Sequence, residues 1–263
     1  MTKISDKQRI VIKLGTSTLA HSTGKLNIRR MTNLVRVLAD LQNSGKEIII
    51  VSSGAVGLGV GKLGLKKRPS DTPSKQACAA VGQCELMYMY DKLFDEFGIT
   101  VAQILLTKTI IGKNNVVNTF EKLISMGVIP IVNENDTVAI DELELEIGEN
   151  DSLSAIVATL AKADLLIILS DIDGLFDSDP HTNADAHLIP VVSEINDNIE
   201  RIAGGAGSSL GTGGMATKIN AAKIATSSGI DMIIMNGNNP EKLYDMFEGK
   251  HTGTLFQAKE QKG

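Results

Sequence analysis

Ile10-Val11-Ile12-Lys13-Leu14, halted by Gly15-Thr16-Ser17, is the stretch on which the fold turns. A β-rich apolar run stopped by glycine and small polar residues reads as a strand entering a turn. Asn27 then caps a predicted helix in which Ile28, Met31, Leu34, Val35, Leu38 and Leu41 recur at helical spacing, and Gly45 closes it. Glu47-Ile48-Ile49-Ile50-Val51 is a second strand, halted by Ser52-Ser53-Gly54-Ala55. These pieces make one βαβ unit with a right-handed connection. Both strands are continuous apolar runs instead of alternating ones, the pattern of strands covered on both faces by helices.

Outward from this unit the alternation continues. Residues 57–68 are rich in glycine and lysine and read as a loop or frayed helix, broken by Pro69 and Pro73. A long helix is predicted over 74–97, a third strand over 99–106, a helix over 115–126 closed by Gly127, and a fourth strand over 128–132. That strand runs into Asn133-Glu134-Asn135-Asp136. In 142–147, Leu143, Leu145 and Ile147 alternate with Glu142, Glu144 and Glu146, which predicts an exposed antiparallel strand or hairpin. A helix from Ser152, a strand over 164–169 and a turn-rich segment to about His187 follow. Then come a short strand over 189–192, a flexible run over 204–214, a helix over 215–228, a strand over 232–235, a helix from Pro240, and an edge strand at Thr254-Leu255-Phe256. No linker divides the chain cleanly. The fold class is α/β, a three-layer α/β/α sandwich with a mostly parallel sheet. Ligands in such sheets bind beyond the strand C-termini. The polar clusters at 15–17, 52–55, 133–136 and 170–173 all follow strands and so gather on one rim.

Composition narrows the function classes. The chain has 263 residues, 43% hydrophobic but only 3% aromatic, so a full core must be aliphatic. Net charge is −5 with both signs interspersed, which gives no nucleic-acid stripe and no polybasic membrane patch. Apolar runs are too short to span a bilayer, and the N-terminus has no signal-peptide pattern. Cys78 and Cys84 are separated by about 600° of helical rotation and point to different sides. Buried thiols in a reducing cytoplasm are the expectation for both.

The chemistry is expected around Gly148-Glu149-Asn150-Asp151-Ser152-Leu153-Ser154-Ala155. A loop feeds a helix here, and Asn150 or Asp151 is a natural N-cap. Two lysines give Asp151 a larger role. Lys13 lies at the end of a doubly covered strand and must reach a partner or lose solvation. Lys218 follows Gly211-Thr212-Gly213-Gly214-Met215-Ala216-Thr217, a glycine-rich helix start able to cradle phosphate. A lysine at that end of a helix is disfavoured by the macrodipole unless an anion binds there. Asp151 is therefore expected at the seam of two half-domains, holding Lys13 and Lys218 around a transferring phosphoryl group. Gly15 lets backbone N–H groups approach an anion. Gly59-Val60-Gly61-Lys62-Leu63-Gly64 fits a dinucleotide-binding pattern but lies too far beyond its strand. His21, His181, His187 and His251 read as surface residues, and the aspartates after Leu169 as turn-makers.

Five blocks carry a resemblance: Val11-Ile12-Lys13-Leu14-Gly15-Thr16-Ser17, Val51-Ser52-Ser53-Gly54-Ala55, Ile131-Val132-Asn133-Glu134-Asn135-Asp136, Gly148-Glu149-Asn150-Asp151 and Gly211-Thr212-Gly213-Gly214-Met215-Ala216-Thr217-Lys218. In this order they resemble the amino acid kinase family over nearly the whole chain. The resemblance implies one kinase domain over about 1–257, with an acceptor-binding lobe to about 163, a nucleotide-binding lobe from about 164, and a polar tail over 258–263. It implies ATP contacts from Lys13, Gly15, Ser170, Asp171, Thr212, Gly213, Gly214, Met215, Ala216, Thr217 and Lys218. Catalysis falls to Lys13, Asp151 and Lys218, and the acceptor site to Ser53, Asp136 and Asn150. Thr16 after Gly15, where acetylglutamate-specific members carry a second glycine, points to free L-glutamate as acceptor. Ser170 stands where a threonine is common and keeps the hydroxyl. The chain ends at Gly263, so expectations tied to the C-terminal PUA domain of many members, including a nucleic-acid link, do not carry over.

The residue types suit that chemistry. A γ-carboxylate is ionised at neutral pH and needs no general base to attack phosphorus. It needs in-line positioning and charge neutralisation, from two lysines, glycine-rich backbone and Mg²⁺. Asp136 suits the substrate ammonium, and Ser53 and Asn150 its carboxylates. The resemblance further implies inhibition by L-proline, a homodimer or homotetramer, and glutamyl phosphate reductase as the next enzyme. The alternatives are a related kinase of acetylglutamate, aspartate, carbamate or a nucleoside monophosphate, or a nucleotide-binding sensor or storage protein without turnover.

Overall fold

Strand β1, Arg9–Leu14, is central, with β2, Glu47–Ser52, on one side and β5, Leu165–Ser170, on the other. The computed structural model describes residues 3–21, 23–107, 114–138, 150–180, 182–204, 214–250 and 252–259. Among these, eight strands form one sheet in the order β3-β4-β2-β1-β5-β7-β8-β6. Here β3 is Val101–Leu106, β4 Ile129–Glu134, β6 Val191–Val192, β7 Asp231–Asn236 and β8 Thr254–Phe256. Every described pairing is parallel except β7 with β8. The strands that precede residue 135 fill one half of the sheet, and those that follow residue 164 fill the other.

Nine α-helices are described: α1 Thr16–Leu19, α2 Ile28–Asn43, α3 Ala55–Lys62, α4 Thr72–Asp95, α5 Asn114–Ser125, α6 Asn150–Leu160, α7 Asp197–Gly204, α8 Met215–Ser227 and α9 Lys242–Phe247. Two cores lie on opposite faces of the sheet, as the continuous apolar strands require. Ile10, Ile12, Leu14, Ile48 and Ile50 pack with Met31, Leu34 and Leu38 of α2 and Leu86, Tyr90 and Phe94 of α4. Val11, Ile49, Val51, Leu166 and Ile168 pack with Phe120 of α5, Leu153 and Val157 of α6, and Ala221, Ala222 and Ala225 of α8. Each fully buried aliphatic side chain contributes about 1.5–3 kcal/mol, so each strand is held from both sides. Strand alternation assigns Lys13, two positions from Val11, to the face that carries α6 and α8.

Several local expectations hold in detail. Asn27 Oδ1 accepts from the Arg30 N–H at 3.1 Å, capping α2, and Gly45 follows with φ +98°. Asp71, not among the caps expected from sequence, caps α4 in the same way through the Ser74 N–H at 2.9 Å. Other expectations are corrected. Residues 55–62 form helix α3 despite Gly57, Gly59 and Gly61, because these glycines permit contact with a neighbour. A Cβ on Gly59 would lie 1.9 Å from the Cys78 carbonyl oxygen, and one on Gly82 would lie 1.8 Å from that of Ala55. Of the discounted glycine triplet, Gly59 serves helix packing, Gly61 lies against the Gly24 backbone, and Gly64 has a positive φ of +65°. Thr254–Phe256 is not the edge strand, since the two-residue β6 lies outside it. Cys84 is exposed, against expectation, while Cys78 is buried, and both are free. The hairpin expected over 142–147 lies outside the described residues, as does most of the 204–214 run. Among the described residues no helix is long and apolar enough to cross a membrane.

Candidate functional site

Parallel pairing of β4, β2, β1 and β5 puts the polar segments after them on one rim, and α6 and α8 bring their first turns to it. Helices α6 and α8 pack together, joined by Asp151 to Thr217 and Lys218 and by Ser152 to Asn220, and both bury small residues, among them Ala155 and Ala158 in α6 and Ala221, Ala222 and Ala225 in α8. Asp151 sits in this seam with no solvent exposure. Its Oδ1 is 2.6 Å from Lys13 Nζ, and its Oδ2 is 3.2 Å from Lys218 Nζ. The Thr217 hydroxyl lies 2.9 Å from the same Oδ2 and 2.8 Å from the Gly214 carbonyl. Burial alone would push the Asp151 pKa up. The pull of Lys13 and Lys218 outweighs it, helped by hydrogen bonds from Lys13 and Thr217, and the carboxyl is held below its ordinary 3.8.

Neither Asn150 nor Asp151 serves as the expected N-cap. Both lie within α6, and both side chains are engaged with other elements. Asn150 Nδ2 has three acceptors within reach of its two hydrogens, Ser53 Oγ at 2.8 Å and, at 3.1 Å each, the Ser52 carbonyl and Asn133 Oδ1, so at least one hydrogen is shared. The acceptor candidates Ser53 and Asn150 therefore meet directly, on the β2 side of the ion cluster. Asp136, half-buried, lies in the turn after β4 on the same rim. Gly54, with φ +102°, lets the chain reverse from Ser53 into α3.

On the β5 side, Ser170 Oγ donates to Asp171 Oδ1 at 3.1 Å. The Ser170 carbonyl accepts from the Gly237 N–H at 2.7 Å, tying this strand end to that of β7. Gly15 precedes α1, and its carbonyl accepts from the Thr18 N–H at 3.1 Å. Gly214 caps α8 with no side-chain cap, so the first turn at Met215 and Ala216 presents backbone donors free of a capping side chain. Thr212 and Gly213 lie outside the described residues. The aspartates beyond Leu169, expected as turn-makers, also tie the segment to other parts of the chain: Asp173 Oδ1 accepts from Asn236 Nδ2 at 2.9 Å, and Asp177 Oδ1 from the His187 N–H at 2.9 Å. His21 and His187 are exposed, as expected, and His181 and His251 lie outside the described residues.

The residue pattern did not single out Asn133, Gln83, Tyr90 or the contact of Thr217 with Asp151. Asn133 was legible only as part of a polar strand end. For Gln83 and Tyr90 no local signal exists, since their roles come from packing of α4 against distant strand ends. For a divalent metal, no group of three or more His, Cys, Asp or Glu is assembled among the described residues. Asp151 itself has both oxygens committed to cations and Thr217.

Comparison with known proteins agrees with this geometry. The Amino acid kinase family profile matches residues 8–236. Relatives named glutamate 5-kinase include one from Clostridium perfringens, 56% identical over 97% of this chain and 97% of its own. Another is from Listeria innocua, 50% identical over 98% of this chain and 96% of its own. Among solved structures, a T. acidophilum isopentenyl phosphate kinase product complex superposes with TM-score 0.66 at 19% identity, covering 95% of this chain and 100% of that one. The UMP kinase from Bacillus anthracis gives TM-score 0.65 at 17% identity, over 95% and 96%. At such identities these two share the fold alone. The profile match and the full-length relatives, together with the lysine–aspartate–lysine seam, establish that the chain belongs to the amino acid kinase family.

Proposed function

We infer that this protein transfers the γ-phosphoryl group of ATP to the γ-carboxylate of L-glutamate, giving L-glutamyl 5-phosphate and ADP at the head of proline biosynthesis. The observation that carries this is the single buried carboxylate of Asp151 holding Lys13 and Lys218 on one rim. Relatives at 50–56% identity over nearly their full length, all named glutamate 5-kinase, support the choice of acceptor.

Mechanistically, the half of the sheet built from residues up to about 163 binds the acceptor, and the half from about 164 to 257 binds the nucleotide. Ser53 and Asn150 form the site for an acceptor carboxylate, the Ser53 hydroxyl donating to it and the Asn150 amide orienting that hydroxyl, and Asp136 pairs with the ammonium. Gly15, Ser170, Asp171 and the 212–218 segment hold ATP, with phosphates at the first turn of α8. The γ-carboxylate oxygen attacks phosphorus in line, and the bond to the ADP oxygen breaks. Negative charge that builds on the transferring group is met by Lys13 and Lys218, which Asp151 keeps in position. No proton has to leave the nucleophile, because it is already ionised. Mg²⁺, carried in by the nucleotide's own phosphates, supplies further charge neutralisation. We further propose a cytoplasmic homo-oligomer inhibited by L-proline, with glutamyl phosphate reductase consuming its product.

Incubation with Mg-ATP and one acceptor at a time, trapping acyl phosphate with hydroxylamine, tests the assignment. Hydroxamate is expected with free L-glutamate alone. A product with acetylglutamate or aspartate instead would overturn the acceptor, and ATP binding without any product would favour a sensor.

A further inference from the structure

A polar chain behind the acceptor residues reaches into helix α4. Asn133 Oδ1 accepts from the Glu134 N–H at 2.9 Å and from Asn150 Nδ2 at 3.1 Å. Asn133 Nδ2 donates to Gln83 Oε1 at 2.9 Å. Gln83 is only 9% exposed, and its own Nε2 has no hydrogen-bond partner among the described residues. A glutamine that leaves one buried donor unpaired carries a cost, so its place here rests on its accepting oxygen. Two helical turns along the same face of α4, the Tyr90 hydroxyl lies 3.0 Å from Ser52 Oγ. One helix thus touches the ends of both strands that floor the acceptor site.

The direction of these bonds matters. A backbone N–H cannot reverse, so Glu134 fixes which end of the Asn133 amide faces the site. That orientation aims a buried donor at α4, and Gln83 Oε1 is what meets it. Asn133 then accepts from Asn150, which turns the Asn150 donor toward Ser53. Ser53 Oγ accepts from Asn150, and its own proton is left to be donated onward. We propose that Gln83 is a positioning residue for the acceptor: through Asn133 and Asn150 it keeps the Ser53 hydroxyl proton free for an anionic group of the substrate. This rests on the assignment of a carboxylate-bearing acceptor made above.

Gln83→Leu and Gln83→Glu separate this from a packing role. Glutamate at this position offers an accepting oxygen to Asn133 whether ionised or protonated, and the donor it lacks is the unpaired one. The leucine variant is expected to raise KM for L-glutamate about tenfold, the scale of one lost buried hydrogen bond, with KM for ATP unchanged. The glutamate variant is expected to return the acceptor KM to within about twofold of wild type. If Gln83→Leu does not fold, Gln83→Met, unbranched and of similar length, takes its place. An unchanged acceptor KM, equal rises in both KM values, no rescue by Gln83→Glu, or failure of both apolar variants to fold would each overturn the proposal. Wild-type protein that forms hydroxamate with another acceptor only, or with none, would remove the function assignment beneath it and overturn both.

Discussion

Asp151 fixes its own pH behaviour by its surroundings. Its folded pKa lies below 3.8 because two ammonium groups flank it. The sign follows: its contribution to stability is complete above the unfolded value and is lost as pH falls through the lower folded one. An acidic limb of the rate profile between pH 5 and 7 is therefore not expected from this group, in the same range where most free glutamate γ-carboxylate is ionised, about four-fifths of it at pH 5. Asp151→Asn leaves two buried cations without their counter-charge and is expected to cost about 3–5 kcal/mol at pH 7, read by urea unfolding. In contrast, Lys13→Ala or Lys218→Ala is expected to lower kcat by about two to three orders of magnitude with near-normal folding, checked by steady-state kinetics and circular dichroism. Asp136→Ala should act on KM for L-glutamate and leave KM for ATP alone, and an unchanged acceptor KM would remove its ammonium-binding role. At this scale the sequence was informative where chemistry leaves a local trace. Lys13 at a strand end and Lys218 after a glycine run both announced themselves, whereas Gln83 sits in an ordinary helix and gains meaning only from Asn133, fifty positions away.

Among the elements, α3 and α4 show how tertiary contact overrides propensity. Glycines at 57, 59 and 61 weaken α3 as an isolated helix by about 1 kcal/mol each relative to alanine, which is why the segment reads as a loop or at most a frayed helix. The missing side chains of Gly59 in α3 and Gly82 in α4 let the two helices come into backbone contact, Gly59 against Cys78 and Gly82 against Ala55. Gly82→Ala would gain helix propensity and still be expected to destabilise the protein by about 1–3 kcal/mol, because its Cβ would meet backbone that cannot step aside. A melting temperature equal to or above wild type would contradict this packing account. The contact also matters to the site, since α3 starts directly after Ser53 and Gly54. The regular elements of the doubly covered sheet were legible from apolar runs alone. The place of Thr254–Phe256 was not, because nothing in its sequence reveals that two more residues pair outside it.

For the molecule as a whole, strand order divides the chain between two halves that meet at β1 and β5. The alternation of strands and helices made the sandwich legible, and the rim followed from parallel strand direction. What the alternation could not give was which strands are neighbours. Beyond the β1–β2 unit, that β5 lies on the other side of β1 emerges only from packing. The meeting point has a consequence for how the protein is made. Arg9 and Asp164, which hydrogen-bond across this junction, are separated by 155 positions, so closing it requires a long loop to be ordered first. Lys13 lies on one strand of that junction, and Asp151 and Lys218 lie on helices that pack over it. During refolding from denaturant, helical signal is expected to return before nucleotide binding does, with enzymatic activity the slowest of the three. A chain still emerging from the ribosome would have strands β1 to β4 in hand and no complete lysine–aspartate–lysine seam until residue 218 had been synthesised.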